Sequence, residues 1–163
     1  MKSVLETVIA GLRTALGERV LDVVEFRDDV TVRISKDAVV EAATWLRDNP
    51  ACPFPLCEDL FAMDAFTRTN RFEVKYHFFS VREKVRIHLK LAVDEKDPRV
   101  PSIVSVFPSA NFGEREAYDM IGVQFVGHPD MRRMYMPEDY EYFPLRKDFP
   151  LMGVPGSIPL PKR

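Results

Sequence analysis

Two alternating stretches of sequence, FEVKYHFF at residues 72–79 and VRIHLKL at residues 85–91, set the architecture of this chain. In both stretches nearly every second position is apolar, and the positions between carry mainly charged residues and histidines. Successive side chains of a β-strand point to opposite faces of a sheet, so a period of two predicts strands with one buried face. Such alternation is typical of antiparallel strands with one wet face, which places His77 and His88 on the solvent side.

Upstream of these strands, the N-terminal half of the chain switches between helical and extended patterns. Apolar residues at helical spacing predict an amphipathic helix over residues 2–16, with Gly17 as its C-terminal cap. Apolar runs on either side of residues 27–29 predict a hairpin. A second helix is predicted from the N-cap Ser35 to Asn49-Pro50. The second half of residues 54–66 is interpreted as a further strand.

The predicted order is helix, two strands, helix and three strands. This order predicts an α+β fold with a mixed or antiparallel sheet covered by helices. The 163 residues of the chain fit one such domain, assigned to residues 1–127, followed by an extended Pro-rich C-terminal arm over residues 128–163.

Composition limits the possible partners. The formal net charge is −2, so the basic excess of a nucleic-acid binder is missing and nucleic acid is not an expected partner. No run of about 18 apolar residues and no signal-peptide pattern occurs, so neither a membrane span nor a secretory signal is expected. Cys52 and Cys57 are the only cysteines, and we expect them to be reduced.

The last 20 residues contain five prolines and two glycines with apolar side chains scattered between them. Proline excludes a continuous helix here. A proline-stiffened strip loses little entropy when it becomes ordered, so it is suited to binding in a groove of another protein. We therefore predict an arm that docks on a partner subunit, with a disordered tail as the alternative.

Residues 111–150 concentrate charged side chains among aromatics, and four interpretations compete. A metal site or an acid/base enzyme would use Glu116, Asp119 and His128, but no metal-binding, nucleophile or phosphate-loop motif accompanies them. An electron-transfer site lacks the cysteines of an iron–sulfur cluster. The fourth interpretation is a fixed polar interface of arginines and carboxylates on a helix over residues 113–121, in which Arg115 and Asp119 are four residues apart. His128, in a Gly-His-Pro-Asp sequence, is predicted to lock a turn.

Three motifs in this region carry a family resemblance: EREAYDMIGV at residues 114–123, GHPD followed by RR at residues 127–133, and PLRKDFP at residues 144–150. In this order and spacing they resemble the signature of the thirty-kilodalton subunit of proton-pumping NADH:quinone oxidoreductase (respiratory complex I). The resemblance is dense over residues 108–151, whereas the first 100 residues match only as a pattern of elements.

The resemblance implies a subunit without an active site or cofactor, whose arm is held against the large quinone-site subunit. FMN and iron–sulfur clusters are then expected in partner subunits of the peripheral arm, and the membrane is reached only through the complex. The complex would couple electron transfer from NADH to quinone with proton translocation at the cytoplasmic face of the inner (plasma) membrane. A membrane-bound hydrogenase or a ferredoxin:quinone oxidoreductase uses a similar subunit and is the alternative. By resemblance, the partner-binding residues are Glu114, Arg115, Glu116, Asp119, His128, Arg132, Arg133, Arg146, Lys147 and Asp148.

Overall fold

The computed structural model describes residues 2–27, 29–66 and 69–153 of the chain. In chain order the elements are α1 (Lys2–Leu16), β1 (Val20–Phe26), β2 (Asp29–Ile34), α2 (Val39–Asp48), β3 (Leu56–Asp64), β4 (Phe72–Ser80), β5 (Val85–Val93), β6 (Arg99–Pro101), α3 (Ala110–Ile121) and β7 (Gln124–Val126). The helices and strands predicted from the sequence are all present among them.

A five-stranded sheet in the order β1-β2-β5-β4-β3 forms the centre of the molecule. β2 and β5 pair in parallel, whereas β1–β2, β3–β4 and β4–β5 pair antiparallel. The short strands β6 and β7 form a separate parallel ladder. The predicted α+β fold is therefore confirmed, and of the two predicted sheet types, mixed or antiparallel, the structure has the mixed one.

One face of the sheet forms the core. Every second side chain of β4, from Phe72 to Ser80, is buried. The four of them from Phe72 to Phe78 join the buried apolar residues of α1, α2 and α3 in one cluster. Gly11 lets α1 approach α2 closely, because a Cβ atom there would lie 2.4 Å from the Trp45 ring. The outer face keeps charged and partly exposed side chains, as the alternating pattern requires.

The predicted solvent exposure of the two strand histidines is wrong for His88, which is only 4% exposed, and His77 is half-buried. β5 lies in the middle of the sheet, so side chains on both neighbouring strands flank His88 even on the outer face. The two imidazole rings lie 4.2 Å apart. Burial lowers the pKa of both histidines, and Lys75 lowers them further.

Several boundaries differ from the sequence prediction. β3 occupies residues 56–64 rather than only the second half of its region. A 3-10 turn, Lys36–Ala38, follows Ser35, so α2 begins at Val39. α3 begins at Ala110 rather than at Gly113. Of the predicted arm, residues 128–153 contain turns without a helix or strand, and residues 154–163 lie outside the described residues.

Candidate functional site

Helix α3 carries the first of the three motifs and ends at a glycine that the structure requires. Gly122 has φ of +88°, and its N–H donates to the carbonyls of Ala117 and Tyr118. This left-handed C-terminal cap suits glycine because it has no Cβ atom. A Cβ atom at Gly122 would also lie 2.6 Å from Nη2 of Arg146 and 2.8 Å from the Phe143 ring. The helix end is therefore shaped to accept residues 143–146 closely.

Glu114 points from α3 into the protein interior and is fully buried. The Ser102 hydroxyl donates to Oε2 at 2.6 Å, and the Ile103 N–H donates to Oε1 at 2.8 Å. Burial raises the pKa of Glu114 to about 7, although both hydrogen bonds act in the opposite direction. Glu114 therefore fastens the loop after β6 to α3 inside the chain.

Asp119 is the fully buried acceptor around which the chain folds back after β7. Its Oδ1 accepts from Arg133 at 2.7 Å. Its Oδ2 accepts the backbone N–H groups of Met134, Tyr135 and Met136 at 3.0, 2.7 and 3.1 Å. Burial alone would raise the pKa of Asp119, but the N–H donors and the guanidinium together lower it. The partner of Asp119 is thus Arg133 and not Arg115, the residue four positions away on α3.

Three other motif residues, His128, Arg132 and Arg115, hold the turn that precedes Arg133. Nδ1 of His128 accepts the Asp130 N–H at 3.0 Å, and its Nε2 lies 3.2 Å from the Asn111 carbonyl. Arg132 pairs with Asp130 at 2.7 Å on the surface. Arg115 donates from Nε to the Arg132 carbonyl at 3.0 Å. His128 locks a turn, as its sequence context predicts.

Arg146 lies across the end of α3. Its Nε donates to the Ile121 carbonyl at 2.7 Å, and its guanidinium lies over the rings of Phe143 and Phe72 at 4.3 and 4.8 Å. Burial and the nearby Arg71 lower the pKa of Arg146. The third motif is therefore held by charge, by hydrogen bonds and by ring contacts.

Arg71, directly before β4, connects this motif to the sheet. Its guanidinium contacts Asp64 at 2.6 Å, Glu95 at 2.6 Å and Asp148 at 2.9 Å. Asp64 also accepts the backbone N–H of Lys147 at 2.9 Å. Burial would raise the pKa of Asp64, but the Arg71 hydrogen bonds and the backbone donors lower it to about 2.

Sequence reasoning missed Arg71, Asp64 and Glu95. They lie far from residues 146–148 along the chain, and only the folding of β3, β4 and β5 side by side brings them together. The sequence contains a weak signal for this contact. Asp64 and Arg71 carry opposite charges, and they lie on either side of the connection between two consecutive predicted strands.

The same C-terminal segment, residues 128–153, exposes large apolar side chains to solvent. Tyr135, Tyr142 and Leu145 are 45–59% exposed, and Leu151 and Met152 are almost fully exposed. Phe112 on α3 is exposed as well. Two charged side chains, Arg133 and Arg146, therefore anchor the segment inward, while these apolar side chains face outward. Several exposed large apolar side chains on one segment are typical of a protein interaction surface.

The residues of the alternative acid/base site have separate surroundings. Glu116 is exposed on α3, Asp119 has hydrogen bonds on both oxygens, and His128 contacts Asn111 and Asp130. The three share no hydrogen bond with one another in the described part of the chain. Within that part, no cluster of three or more His, Cys, Asp or Glu residues is arranged to bind a metal ion. None of the described helices is long and apolar enough to cross a membrane.

A family model and individual relatives all indicate similarity to the same kind of respiratory-chain subunit. The family model described as "Respiratory-chain NADH dehydrogenase, 30 Kd subunit" matches residues 32–155. An NADH-quinone oxidoreductase subunit of Roseiflexus sp. (strain RS-1) is 46% identical over 145 residues, which cover 89% of this chain and 83% of the relative. The same subunit of Xanthobacter autotrophicus (strain ATCC BAA-1158 / Py2) is 44% identical over 153 residues, covering 94% and 73%.

Two solved structures share the fold. The trypsin-resistant fragment of Nqo5 matches with a TM-score of 0.64 and 26% identity, over 78% of this chain and 98% of the fragment. A chain of the membrane-bound sulfane sulfur reductase, an archaeal respiratory membrane complex, matches with a TM-score of 0.72 and 22% identity. That match covers 90% of this chain and 86% of the other. The second likeness extends the fold to a different respiratory complex.

Proposed function

The chain belongs to the 30-kDa subunit family of respiratory-chain NADH dehydrogenase, and we propose that it is a non-catalytic scaffolding subunit of a membrane-attached NADH:quinone oxidoreductase. In this role it holds the large quinone-site subunit in place within the peripheral arm. The complex transfers electrons from NADH to quinone and couples the transfer to proton translocation.

The observation that carries the proposal is the two-sided C-terminal segment. Arg133 and Arg146 face inward and are held by Asp119 and by the end of α3, so the backbone of the segment is positioned before any partner arrives. Preorganisation of this kind lowers the entropy lost on binding. The exposed side chains of Tyr142, Leu145 and Leu151 then supply the apolar contacts. Of the partner-binding residues expected from the sequence, Asp119 acts in this proposal by positioning the segment, whereas Glu114 fixes the loop after β6 to α3.

The chemistry of the complex is assigned to other subunits. We place FMN and the iron–sulfur clusters in partner chains of the peripheral arm. This chain contributes only two cysteines, Cys52 and Cys57, and both are buried and free. The chain reaches the cytoplasmic face of the inner (plasma) membrane through its partners.

The test compares two exposed leucines in the native membrane. Leu145 is 58% exposed on the C-terminal segment, and Leu21 is 61% exposed on β1. Membranes with the tagged wild-type chain, Leu145→Asp or Leu21→Asp are extracted in mild detergent, and copurifying chains are identified after pull-down. We expect Leu145→Asp to lose most of the large quinone-site subunit while Leu21→Asp retains it. Equal recovery with both variants would contradict docking through this segment.

The same preparation tests which complex the chain serves. Copurifying flavin and cluster subunits with NADH:quinone activity support the proposal. A hydrogenase subunit, or activity only with reduced ferredoxin, would assign the chain to a related complex. The fold shared with the sulfane sulfur reductase complex makes this comparison worthwhile. Recovery of the chain alone would contradict the scaffolding role.

A further inference from the structure

A row of positive charge crosses the outer face of the sheet. Arg33 of β2 lies opposite Lys90 of β5, which lies opposite Lys75 of β4. Like charges directly opposite each other on neighbouring strands are destabilising. Glu73 compensates Lys90 at 2.7 Å, and Asp22 of β1 lies 3.9 Å from Arg33 in an exposed pair. The ion pairs of the described residues include none for Lys75. Lys75 is therefore the cation of the row that no carboxylate of the described residues compensates, and the pair of Arg33 is long and exposed.

Apolar side chains border this row. Phe61 of β3 lies opposite Lys75 and is 36% exposed, and Met63 beside it is 45% exposed. Val24 of β1, at the other end, is also 45% exposed. Together with the row these side chains line a trough of about 380 Å³. Strands lie about 4.8 Å apart, so the distance from β2 to β3 is about 14 Å, which four or five residues of extended chain can cover.

We propose that this trough, lined by Val24, Arg33, Phe61, Met63, Lys75 and Lys90, binds an extended segment of a partner protein that carries both acidic and apolar side chains. One carboxylate of the segment pairs with Lys75, and a second shares Arg33 with Asp22, whose exposed contact with that guanidinium is 3.9 Å long. The apolar side chains of the segment pack on Phe61 and Met63. The site involves no residue of the C-terminal segment and is independent of the function proposed above.

Charge complementarity selects this occupant over three others. Residues 154–163 of the same chain contain Lys162 and Arg163 and no acidic residue, so they would bring like charge to the row. A second copy docked on the same face would oppose the row with itself. Nucleic acid would supply phosphates, but the apolar ends of the trough and the carboxylate of Glu73 do not suit a sugar-phosphate backbone. The formal net charge of −2 means that attraction of an acidic segment must come from this local row.

The test uses the full chain and labelled ten-residue peptides in fluorescence anisotropy titrations at two salt concentrations. The probe contains Glu and Leu in equal number, and two control peptides replace all Glu by Gln or all Leu by Ser. We expect the Glu-Leu peptide to bind at least about tenfold more tightly than either control, a difference of about 1.4 kcal/mol. Binding that is no tighter than that of the Gln-Leu peptide would overturn the proposal.

Two charge reversals locate the binding. Lys75 lies on the trough, whereas Lys84 lies in the exposed turn between β4 and β5, and both changes alter the net charge equally. Lys75→Glu removes a like-charge neighbour of Lys90, so it should fold, and circular dichroism checks this. We expect Lys75→Glu to lose about tenfold in affinity for the Glu-Leu peptide and Lys84→Glu to bind as wild type. An equal loss of affinity in both variants would contradict binding of the peptide at this trough.

The other candidate ligands of the trough, nucleic acid and a second copy of the chain, can be distinguished from a partner segment by further measurements. Phe61→Ser should weaken binding of the Glu-Leu peptide and leave the weak binding of the Glu-Ser peptide unchanged. Tighter binding of a single-stranded oligonucleotide than of the peptide would overturn the partner-protein assignment in favour of nucleic acid. A concentration-dependent dimer that Lys75→Glu abolishes, seen by sedimentation, would assign the face to a second copy instead.

Discussion

Asp119 and Arg133 form an ion pair of 2.7 Å in which the carboxylate is fully buried and the arginine side chain is 7% exposed. The pair joins α3 to the beginning of the C-terminal segment. The Arg133 guanidinium also lies 5.2 Å from the Phe143 ring, which continues the contact toward the third motif. The path of the segment over the domain is therefore set inside the chain.

The first prediction concerns this pair. Asp119→Asn removes the charge that compensates Arg133, and breaking a buried pair at one partner costs about 3–5 kcal/mol. We expect the free energy of unfolding to fall by that order, measured by chemical denaturation. The amides of Met134, Tyr135 and Met136, which donate to Asp119, should exchange hydrogen faster. As the control, Asp130→Asn breaks the exposed pair with Arg132 and should change stability by less than about 1 kcal/mol. Similar losses in both variants would contradict the buried-pair interpretation.

The second prediction concerns Glu114, whose pKa of about 7 lies above the ordinary value of 4.5. A raised carboxyl pKa means that the folded state binds the proton more tightly than the unfolded state. Stability from this group is therefore present at low pH and is lost as pH rises from 4.5 to about 7. The loss amounts to about 3 kcal/mol at most, at 1.36 kcal/mol for each pH unit.

Glu114→Gln can keep the hydrogen bonds to Ser102 and Ile103 but cannot titrate. Its free energy of unfolding should decrease less than that of the wild type between pH 4.5 and 7, measured by urea titration across this range. Glu116→Gln, on the exposed side of the same helix, should follow the wild-type profile. A profile of Glu114→Gln that parallels the wild type would show that Glu114 does not titrate in this range.

The third prediction concerns Arg71, whose side chain is 9% exposed and contacts Asp64 and Asp148. Arg71→Met leaves the buried Asp64 carboxylate without its main partner, so we expect a loss of about 3–5 kcal/mol. Arg99→Met, which breaks only an exposed pair with Asp97, is the matched control and should cost less than about 1 kcal/mol. Differential scanning calorimetry of both variants measures the difference, and equal melting temperatures would contradict it.

The low pKa of Asp64 gives the same network an acid dependence. The pKa is lowered from 3.8 to about 2, so its stabilisation is complete above 3.8 and is lost as pH falls toward 2. Wild type should therefore lose about 2 kcal/mol more over this interval than Asp64→Asn. A larger loss of stability in Asp64→Asn than in the wild type over this pH range would contradict the lowered pKa of Asp64.

The fourth prediction separates close packing from backbone strain at two glycines. Gly122 and Gly127 have φ of +88° and +87°, so alanine is strained at both by about 1–2 kcal/mol. Only at Gly122 would the added Cβ meet Arg146 and Phe143, whereas nothing lies within 4 Å at Gly127. Gly122→Ala should therefore lower the melting temperature further and release residues 143–146, seen as faster proteolysis after Lys147. An equal fall in melting temperature for the two substitutions would mean that residues 143–146 move away from the added Cβ atom at no cost in stability.

Local physics explains why much of this protein could be predicted from its sequence. The period of two in residues 72–79 and 85–91 and the helical spacing in residues 2–16 depend only on neighbouring residues and on which faces become buried. The family motifs are local as well, and they identified the family correctly. The turn role of His128 followed from its adjacent glycine and proline.

Contacts between distant residues could not be predicted in the same way. Arg115 is the local partner for Asp119, but the chain returns and supplies Arg133 together with three backbone N–H groups. Four hydrogen bonds to a fully buried carboxylate outweigh one exposed pair on a helix surface. Likewise, Arg71 meets Asp148 only after the strands have assembled.

Periodicity and motif order are properties of consecutive residues, so they were enough to predict the three helices, the five strands of the central sheet, the α+β class and the family of this protein, but not the short strands β6 and β7. The position of β5 between β2 and β4 emerged only in the folded molecule, where it buries His88 and aligns Arg33, Lys90 and Lys75 in one row. Strand order depends on which apolar faces can be buried together across long chain separations. That global choice determines the surroundings of each charge, and hence which charges stabilise the fold and which remain available for a partner.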